Sequence, residues 1–456
     1  MSGRAWWLVC AALWCVACED EPRAAAPRDA GADAAADAQG DPVEPADQGE
    51  DLADLAPDLP ADLDMDAPDP GLTEAEVTAA GTRVRLSAAP LTLEVWDAQG
   101  RLVTRSASGE GASASGLVLG RARRYDEGAF YEPTLDRVRR RGGAVDWFQV
   151  ARVKRGEPDG EGFRFLMASQ GEDGAAGPDV ALRLQPSPYG VTLEVDLLGD
   201  LAIVHTHLNL EAAPGEGFYG MGEHFDRVDS RGIMREMQIQ AEGDSESSTN
   251  EVHVPIPFVV SSRGYGLYLD DRHPAAIDPG KLQPEVLRVT TLSPASRWVF
   301  LTAPTPMALL ERYTDLVGKP AQVPFWALAP QFWRNVNRDQ AEVLDDARLA
   351  READIPTTVL WIDRPWSSYY HNWRFNASQF PTPEAMMDEL RGQGYRVLLH
   401  HSPQMNSPGA SDLGPDEDAG EGLYAEFLEN EWLVTLPGGA PFEFPWGGGR
   451  GAFVDW

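Results

Sequence analysis

Cysteine is almost absent. The 456 residues contain three, at positions 10, 15 and 18, too few and too closely bunched for a disulfide scaffold. Basic residues are also scarce: 38 Lys and Arg stand against 72 Asp and Glu, a formal net charge of -34. Nucleic-acid binders gain affinity by neutralising phosphates with Lys and Arg, so that class is excluded, as is a polybasic membrane-surface protein. Beyond residue 20 no run approaches the ~18 apolar residues of a spanning helix. There is no Gly-rich phosphate loop, no nucleophile elbow and no zinc-protease helix motif, and no cofactor or metal is implied.

Hydrophobic residues make up 43 % of the chain, enough for sizeable cores, and at about 100–200 residues per domain the length suggests two or three. Arg4 and the 12 apolar residues 6–17 have the layout of a signal peptide, too short to span a bilayer. Ala17 before Cys18 resembles a bacterial lipobox, whose cysteine becomes the lipidated first residue, although Cys15 stands where Leu is usual. Cleavage after Ala17 by an ordinary signal peptidase is the alternative. Both routes export the chain. The first ties it to a membrane of the cell envelope through lipid on Cys18, each buried CH₂ contributing about 0.8 kcal/mol.

Residues 1–18 are therefore read as a lipoprotein signal peptide and 19–75 as a disordered acidic linker. Positions 19–70 hold 17 acidic and 2 basic residues and no aromatic one. Such a segment cannot offset its ordering entropy by burial, and like charges extend it into a spacer. Setting it and Arg4 aside takes the net charge from -34 to -20 for residues 71–456.

Residues 76–323 read as a β-sandwich domain. Leu91, Leu93 and Val95 alternate before a turn at Asp97, and similar short runs recur at 163–167, 180–184, 191–197, 254–260 and 267–269, separated by turn residues. Helical periodicity is weak until 307–316. After about 324 the rhythm changes. Phe332 and Trp333 open a strand. Asp339 and Glu342 form a capping-box pattern ahead of Val343, Leu344, Ala347 and Ala350 on one helical face. Residues 358–362 form a buried-type strand ending at Asp363. Thr382 caps a second helix with Pro383 at its first position and Gly394 as its stop, and 397–399 form the next strand. Strand, helix, strand, helix, strand at this spacing means parallel βα units. A (β/α)₈ barrel takes about 250 residues, so 324–456 is read as the first part of a TIM barrel. The fold class is multidomain: β plus α/β.

Asp363 is the leading site residue. It ends an apolar strand, and in βα barrels the active site lies at the C-terminal strand ends. A carboxylate there can accept sugar hydroxyls, each charge-assisted bond contributing roughly 1.5–3 kcal/mol. Trp361 and Trp366 flank it, and an indole face suits the C–H face of a sugar ring. The alternative is an Asp that caps a helix or pairs with Arg364, beside two core tryptophans. Eight of the 14 Trp lie in 326–456, which fits a sugar cleft and barrel packing about equally. His205 and His207 sit at strand spacing on one face. With no third metal ligand apparent, they are read as ordinary strand histidines.

Tyr219, Gly220, Gly222 and Glu223, followed by Arg231 and Gly232, resemble the YGxGE signature of glycoside hydrolase family 31. Pro257, Phe258, Ser261, Arg263, Gly264, Tyr265 and Gly266 resemble that family's next stretch. Ile355 and Pro356, Trp361 and Asp363, Phe380 and Pro381, Gly394 and Pro403 follow in its order, and Phe453 with Asp455 resembles the start of its DFTNP segment.

The resemblance implies a mutarotase-type β-sandwich, then a catalytic barrel, and a retaining α-glycosidase activity on α-linked glucosides, xylosides or related oligosaccharides. It implies that Asp363 holds substrate hydroxyls, that Arg364 and Met405 line the same subsite, and that Asp244 lies on a sandwich loop reaching into it. Asp455 matches an aspartate that precedes the nucleophile. Nucleophile and acid/base would both fall after Trp456, so the chain is expected to be a truncated, inactive N-terminal portion of such an enzyme. A non-catalytic carbohydrate-binding surface lipoprotein is the rival expectation.

Overall fold

The computed structural model describes residues 71–456 except 89, 109–115, 123–144, 200–202, 225, 238–253, 294, 335, 364, 365, 369–371, 403, 409–416, 437, 447, 448 and 456. The readings placed on the signal segment, Cys18, the acidic run 19–70, Asp244 and Arg364 lie outside the described residues.

Alternation of side chains builds the first sheet. In Leu91–Trp96 the residues Leu91, Leu93 and Val95 are buried and Thr92 is exposed, the period-2 pattern of a half-buried strand. Glu74–Ala79, Thr82–Ala88, Leu91–Trp96 and Leu102–Arg105 pair antiparallel in sequence order. Asp97 makes the predicted turn: its Oδ1 accepts the N–H groups of Gln99 (3.0 Å) and Arg101 (2.9 Å).

A second, 13-stranded antiparallel sheet carries the rest of the β-domain. One end is Phe218–Gly222 and the other Arg235–Met237, and the last strand returns close to Pro255–Ser261 beside the first, so the sheet nearly closes on itself. Both sheets share one apolar core, in which Val84, Leu93, Phe165, Leu182, Leu193, Leu208 and Trp298 are buried together. Each such side chain contributes about 1.5–3 kcal/mol. The only polar atom of the Trp298 side chain is satisfied by Ser296 Oγ at 2.9 Å.

Pro306–Val317 is a helix capped by Thr305, whose side chain accepts the Ala308 N–H at 3.2 Å. Beyond it, Gln331–Arg334, Val359–Ile362 and Arg396–Leu399 form a parallel three-stranded sheet in that order, joined through helices Gln340–Glu352 and Pro383–Gly392. Val343 and Ala347 from the first helix and Met386 and Leu390 from the second pack on Leu360 and Ile362. Trp333, Trp361 and Leu398 emerge on the other face and are exposed. These are the predicted βα units.

Asp339 caps the first helix, accepting the Glu342 N–H at 2.9 Å, but Glu342 returns to the N–H of Arg338 (2.8 Å) rather than to that of the cap residue. Thr382 holds the cap position of the second helix without a capping bond. Its hydroxyl instead accepts from Gln340 Nε2 (2.8 Å) while its N–H donates to Gln340 Oε1 (3.0 Å), so one side-chain amide ties the two helix starts. Gly394, at φ +85°, ends that helix as predicted.

Past the third parallel strand the chain takes a form that no pattern in the sequence announces. Helix Glu417–Glu429 packs beside an antiparallel sheet of Gln404–Asn406, Gly449–Phe453 and Glu443–Trp446. Among the described residues no helix is long and apolar enough to cross a membrane.

Candidate functional site

Three strand ends converge on Asp363. The strand before it, Val359–Ile362, is apolar and buried except for Trp361, which fixes Asp363 at its C-terminal end, 5 % exposed. From the end of the first strand, Trp333 Nε1 donates to Asp363 Oδ2 at 2.7 Å. From just beyond the third, His400 Nδ1 lies 2.9 Å from Asp363 Oδ1. The Asp363 N–H donates to Oδ1 of buried Asn337 at 3.1 Å. A carboxylate buried this far survives because charge-assisted bonds replace its water.

The flanking indoles separate. Trp361 lies two residues before Asp363, 38 % exposed, and its Nε1 donates to Gln331 Oε1 at 2.6 Å, toward the N-terminal end of the sheet. Trp366 is 1 % exposed and sits in the helix-side core. Its Nε1 donates to the His400 carbonyl at 2.7 Å, so it supports the strand end and offers no open ring face. Met405 is likewise fully buried, against Tyr424, Leu433, Ala452 and Val454, and packs rather than lines an open surface.

Sequence reasoning missed Trp333, Asn337, His400 and Trp373. Trp373 is 60 % exposed, takes a left-handed φ of +51°, and packs its ring 3.9 Å from that of His401 in an edge-on arrangement. Backbone strain of this kind costs about 1–3 kcal/mol and concentrates at functional sites. The signal that could have found His400 and His401 is their position: they follow the third strand as Asp363 follows the second.

The signature segment of the β-domain is a scaffold built on backbone geometry. Gly220 and Gly222 take φ of +91° and +107°, and a Cβ on Gly222 would stand 2.2 Å from the Val254 carbonyl oxygen, so the register shift between Gly220 and Gly222 admits only glycine there. Asp229 Oδ1 accepts the N–H groups of Phe218 and Arg231, both at 3.0 Å. Arg231 donates to the carbonyls of Ala213, Glu216 and Pro284. Arg235, fully buried, pairs with Asp226 at 2.7 Å. His205 and His207 are buried and stack with Trp147 and with each other, and His207 Nδ1 meets Thr290 Oγ1 at 2.7 Å. Among the described residues no group of three metal-ligating side chains occurs.

Comparison with known proteins agrees with this layout. The family model described as the glycosyl hydrolase 31 N-terminal galactose mutarotase-like domain matches residues 60–278. That described as the glycosyl hydrolases family 31 TIM-barrel domain matches residues 320–456. The α-xylosidase XylQ of Lactiplantibacillus pentosus is 24 % identical over 262 residues, 56 % of this chain and 32 % of its own length. Alpha-glucosidase 2 of Bacillus thermoamyloliquefaciens is 26 % identical over 243 residues, 52 % of this chain and 29 % of its own. The chain thus spans about a third of the length of these curated relatives.

Among solved structures, a GH31 family sulfoquinovosidase from E. rectale matches with a TM-score of 0.55 at 15 % identity, over 82 % of this chain and 54 % of that one. A GH31 dextranase from Flavobacterium johnsoniae matches with a TM-score of 0.50 at 16 % identity, over 84 % and 43 %. These likenesses speak to the fold, a mutarotase-like β-domain followed by part of a TIM barrel. With both domain models matched in order, and α-glycosidases among its curated relatives, the chain belongs to glycoside hydrolase family 31.

Proposed function

We propose that this chain supplies the substrate-facing part of a retaining α-glycosidase centre acting on α-linked glucosides, xylosides or related oligosaccharides, with Asp363 accepting sugar hydroxyls. One observation carries the reading. Asp363 is a nearly buried carboxylate at the strand end where barrel enzymes place their chemistry, held by donors from the neighbouring strands on either side. The partners described here include an indole N–H and an imidazole nitrogen, which orient it. The family's named relatives, α-xylosidase and α-glucosidase, support the substrate class.

Retaining hydrolysis needs two carboxyls about 5–5.5 Å apart, one as nucleophile and one as acid/base. Asp363 is proposed for neither of these roles, only for holding substrate hydroxyls. The test is calorimetric titration of the 456-residue chain with maltotriose, isomaltotriose and an aryl α-xyloside, paired with a hydrolysis assay. Saturable binding of one of them is expected. Absence of binding to all three would overturn the reading.

Trp333 gives a sharper check. It is 56 % exposed and its N–H reaches Asp363. Trp333→Phe keeps an aromatic, though smaller, ring and deletes that donor. It is expected to weaken saccharide binding roughly tenfold, the weight of one charge-assisted bond, measured by the same titration.

We also infer export and lipid attachment at Cys18, on the strength of the apolar run and the small residue before that cysteine. Cys18→Ser is then expected to abolish incorporation of labelled palmitate and to move the protein from the membrane to the soluble fraction. Unchanged labelling would refute the assignment.

A further inference from the structure

We propose that His400 is itself a ligand-contacting residue, reading a sugar hydroxyl through Nε2, and that Asp363 serves in part to aim it. The inference rests on the functional reading above and adds a residue that reading leaves unused.

His400 is fixed by three bonds. Its backbone N–H donates to the Ile362 carbonyl at 3.0 Å, its own carbonyl accepts Trp366 Nε1 at 2.7 Å, and its Nδ1 meets Asp363 Oδ1 at 2.9 Å. The ring is nevertheless 42 % exposed, whereas the Asp363 side chain is 7 % exposed. A packing histidine would be covered, and a surface histidine would not have its backbone and one ring nitrogen fixed.

An Nδ1–H directed at a carboxylate sets the orientation of the imidazole and leaves Nε2 on the outer edge. Among the described residues Nε2 carries no hydrogen bond. In the neutral ring Nε2 accepts, and in the protonated ring it donates. A hydroxyl can meet either need, which suits a polyhydroxylated ligand. Asp363 already gives one lone pair of Oδ2 to Trp333 and one of Oδ1 to His400, so much of its bonding capacity is spent on positioning. Among the described residues, His400 is then a group whose outer edge remains open at this strand end.

Two variants separate the ring nitrogens. His400→Asn places a donor near the position of Nδ1, keeping a bond to Asp363, and deletes Nε2. His400→Gln reaches the position of Nε2 and gives up the Asp363 bond. With the 456-residue chain and whichever of maltotriose, isomaltotriose and the aryl α-xyloside binds, His400→Asn is expected to bind roughly tenfold more weakly, with its thermal midpoint little changed. His400→Gln is expected to retain more of the affinity. In the unaltered chain, titration with the same saccharide should move the ¹⁵N resonance of His400 Nε2 well beyond that of Nδ1, a readout that a purely structural role would not shift.

Unaltered affinity in His400→Asn, or a stationary Nε2 resonance at saturation, would overturn this inference and leave the functional reading standing. Failure of the unaltered chain to bind any of the three overturns both. Should His400→Asn not fold, the Nε2 resonance of the unaltered chain decides.

Discussion

Asp363→Asn is expected to cut saccharide affinity roughly 100-fold, about 2.8 kcal/mol, while the chain stays folded. The substitution preserves volume and removes the charge. A carboxylate presents acceptors on both oxygens, whereas a carboxamide presents one oxygen and one NH₂. Trp333 Nε1 and His400 Nδ1 both approach this group from opposite strands, so in the variant either the indole or imidazole N–H meets a donor or the imidazole must move its proton to Nε2. That mismatch costs about 1–3 kcal/mol in stability and lets the imidazole or the indole turn away. The ligand loses its charge-assisted bonds to Asp363 and, through His400, the alignment of its neighbour. Titration and thermal denaturation of the same sample separate the two effects. Affinity within about twofold of the unaltered chain would remove Asp363 from the site.

Asp363 itself was legible because a local pattern reaches it. An apolar run of strand length ends there, and strand ends in βα units are where ligands bind. Its neighbours in space were not legible in the same way. Trp361 and Trp366 look equivalent in the sequence, two and three residues from Asp363. Trp361 is on a strand, so the period of two puts it on the face opposite Leu360 and Ile362. Trp366 lies after the strand, where no period applies, and tertiary packing takes it into the core. The indole that reaches Asp363 is Trp333, 30 residues earlier, brought close by the parallel pairing in which Trp333 stands opposite Trp361. That register arises from how two strands align and is written in neither strand alone.

The helix ends differ for a related reason. Asp339 and Thr382 both carried cap signals, but only Asp339 uses its side chain as a cap. Gln340 competes for the Thr382 hydroxyl from another helix, and long-range partners of that kind override a local preference. The antiparallel sheet at 404–453 was missed because its strands are short, of 3, 4 and 5 residues, with Gly and Pro inside them. Such strands lack the alternating run on which strand reading depends.

The largest effect on stability is expected at Arg235. Its guanidinium is fully buried, on the strand Arg235–Met237 at one end of the large sheet. Nε donates to Ser230 Oγ at 3.2 Å and Nη2 to Asp226 Oδ1 at 2.7 Å, both in the loop that connects the end strands. Burial by itself would raise the Asp226 carboxyl, yet the bond from Arg235 and backbone N–H groups hold it below the usual carboxylate range. Arg235→Met fills much of the volume but leaves a partly buried carboxylate without its cation. Losing the charge-assisted bonds of a part-buried pair costs about 1.5–3 kcal/mol, enough to loosen the closure of the sheet. Because the folded value of Asp226 is lowered, its stabilising contribution is present above the unfolded carboxyl pKa and disappears as pH falls through the folded one. The acid side of the stability curve should therefore flatten in Arg235→Met. Adding Asp226→Asn should recover part of the loss, since removing both charges is far less costly than removing one. Denaturant titration of the two single variants and the double variant measures the coupling. A loss below about 1 kcal/mol in Arg235→Met would show that the loop is held by its backbone bonds and not by this pair.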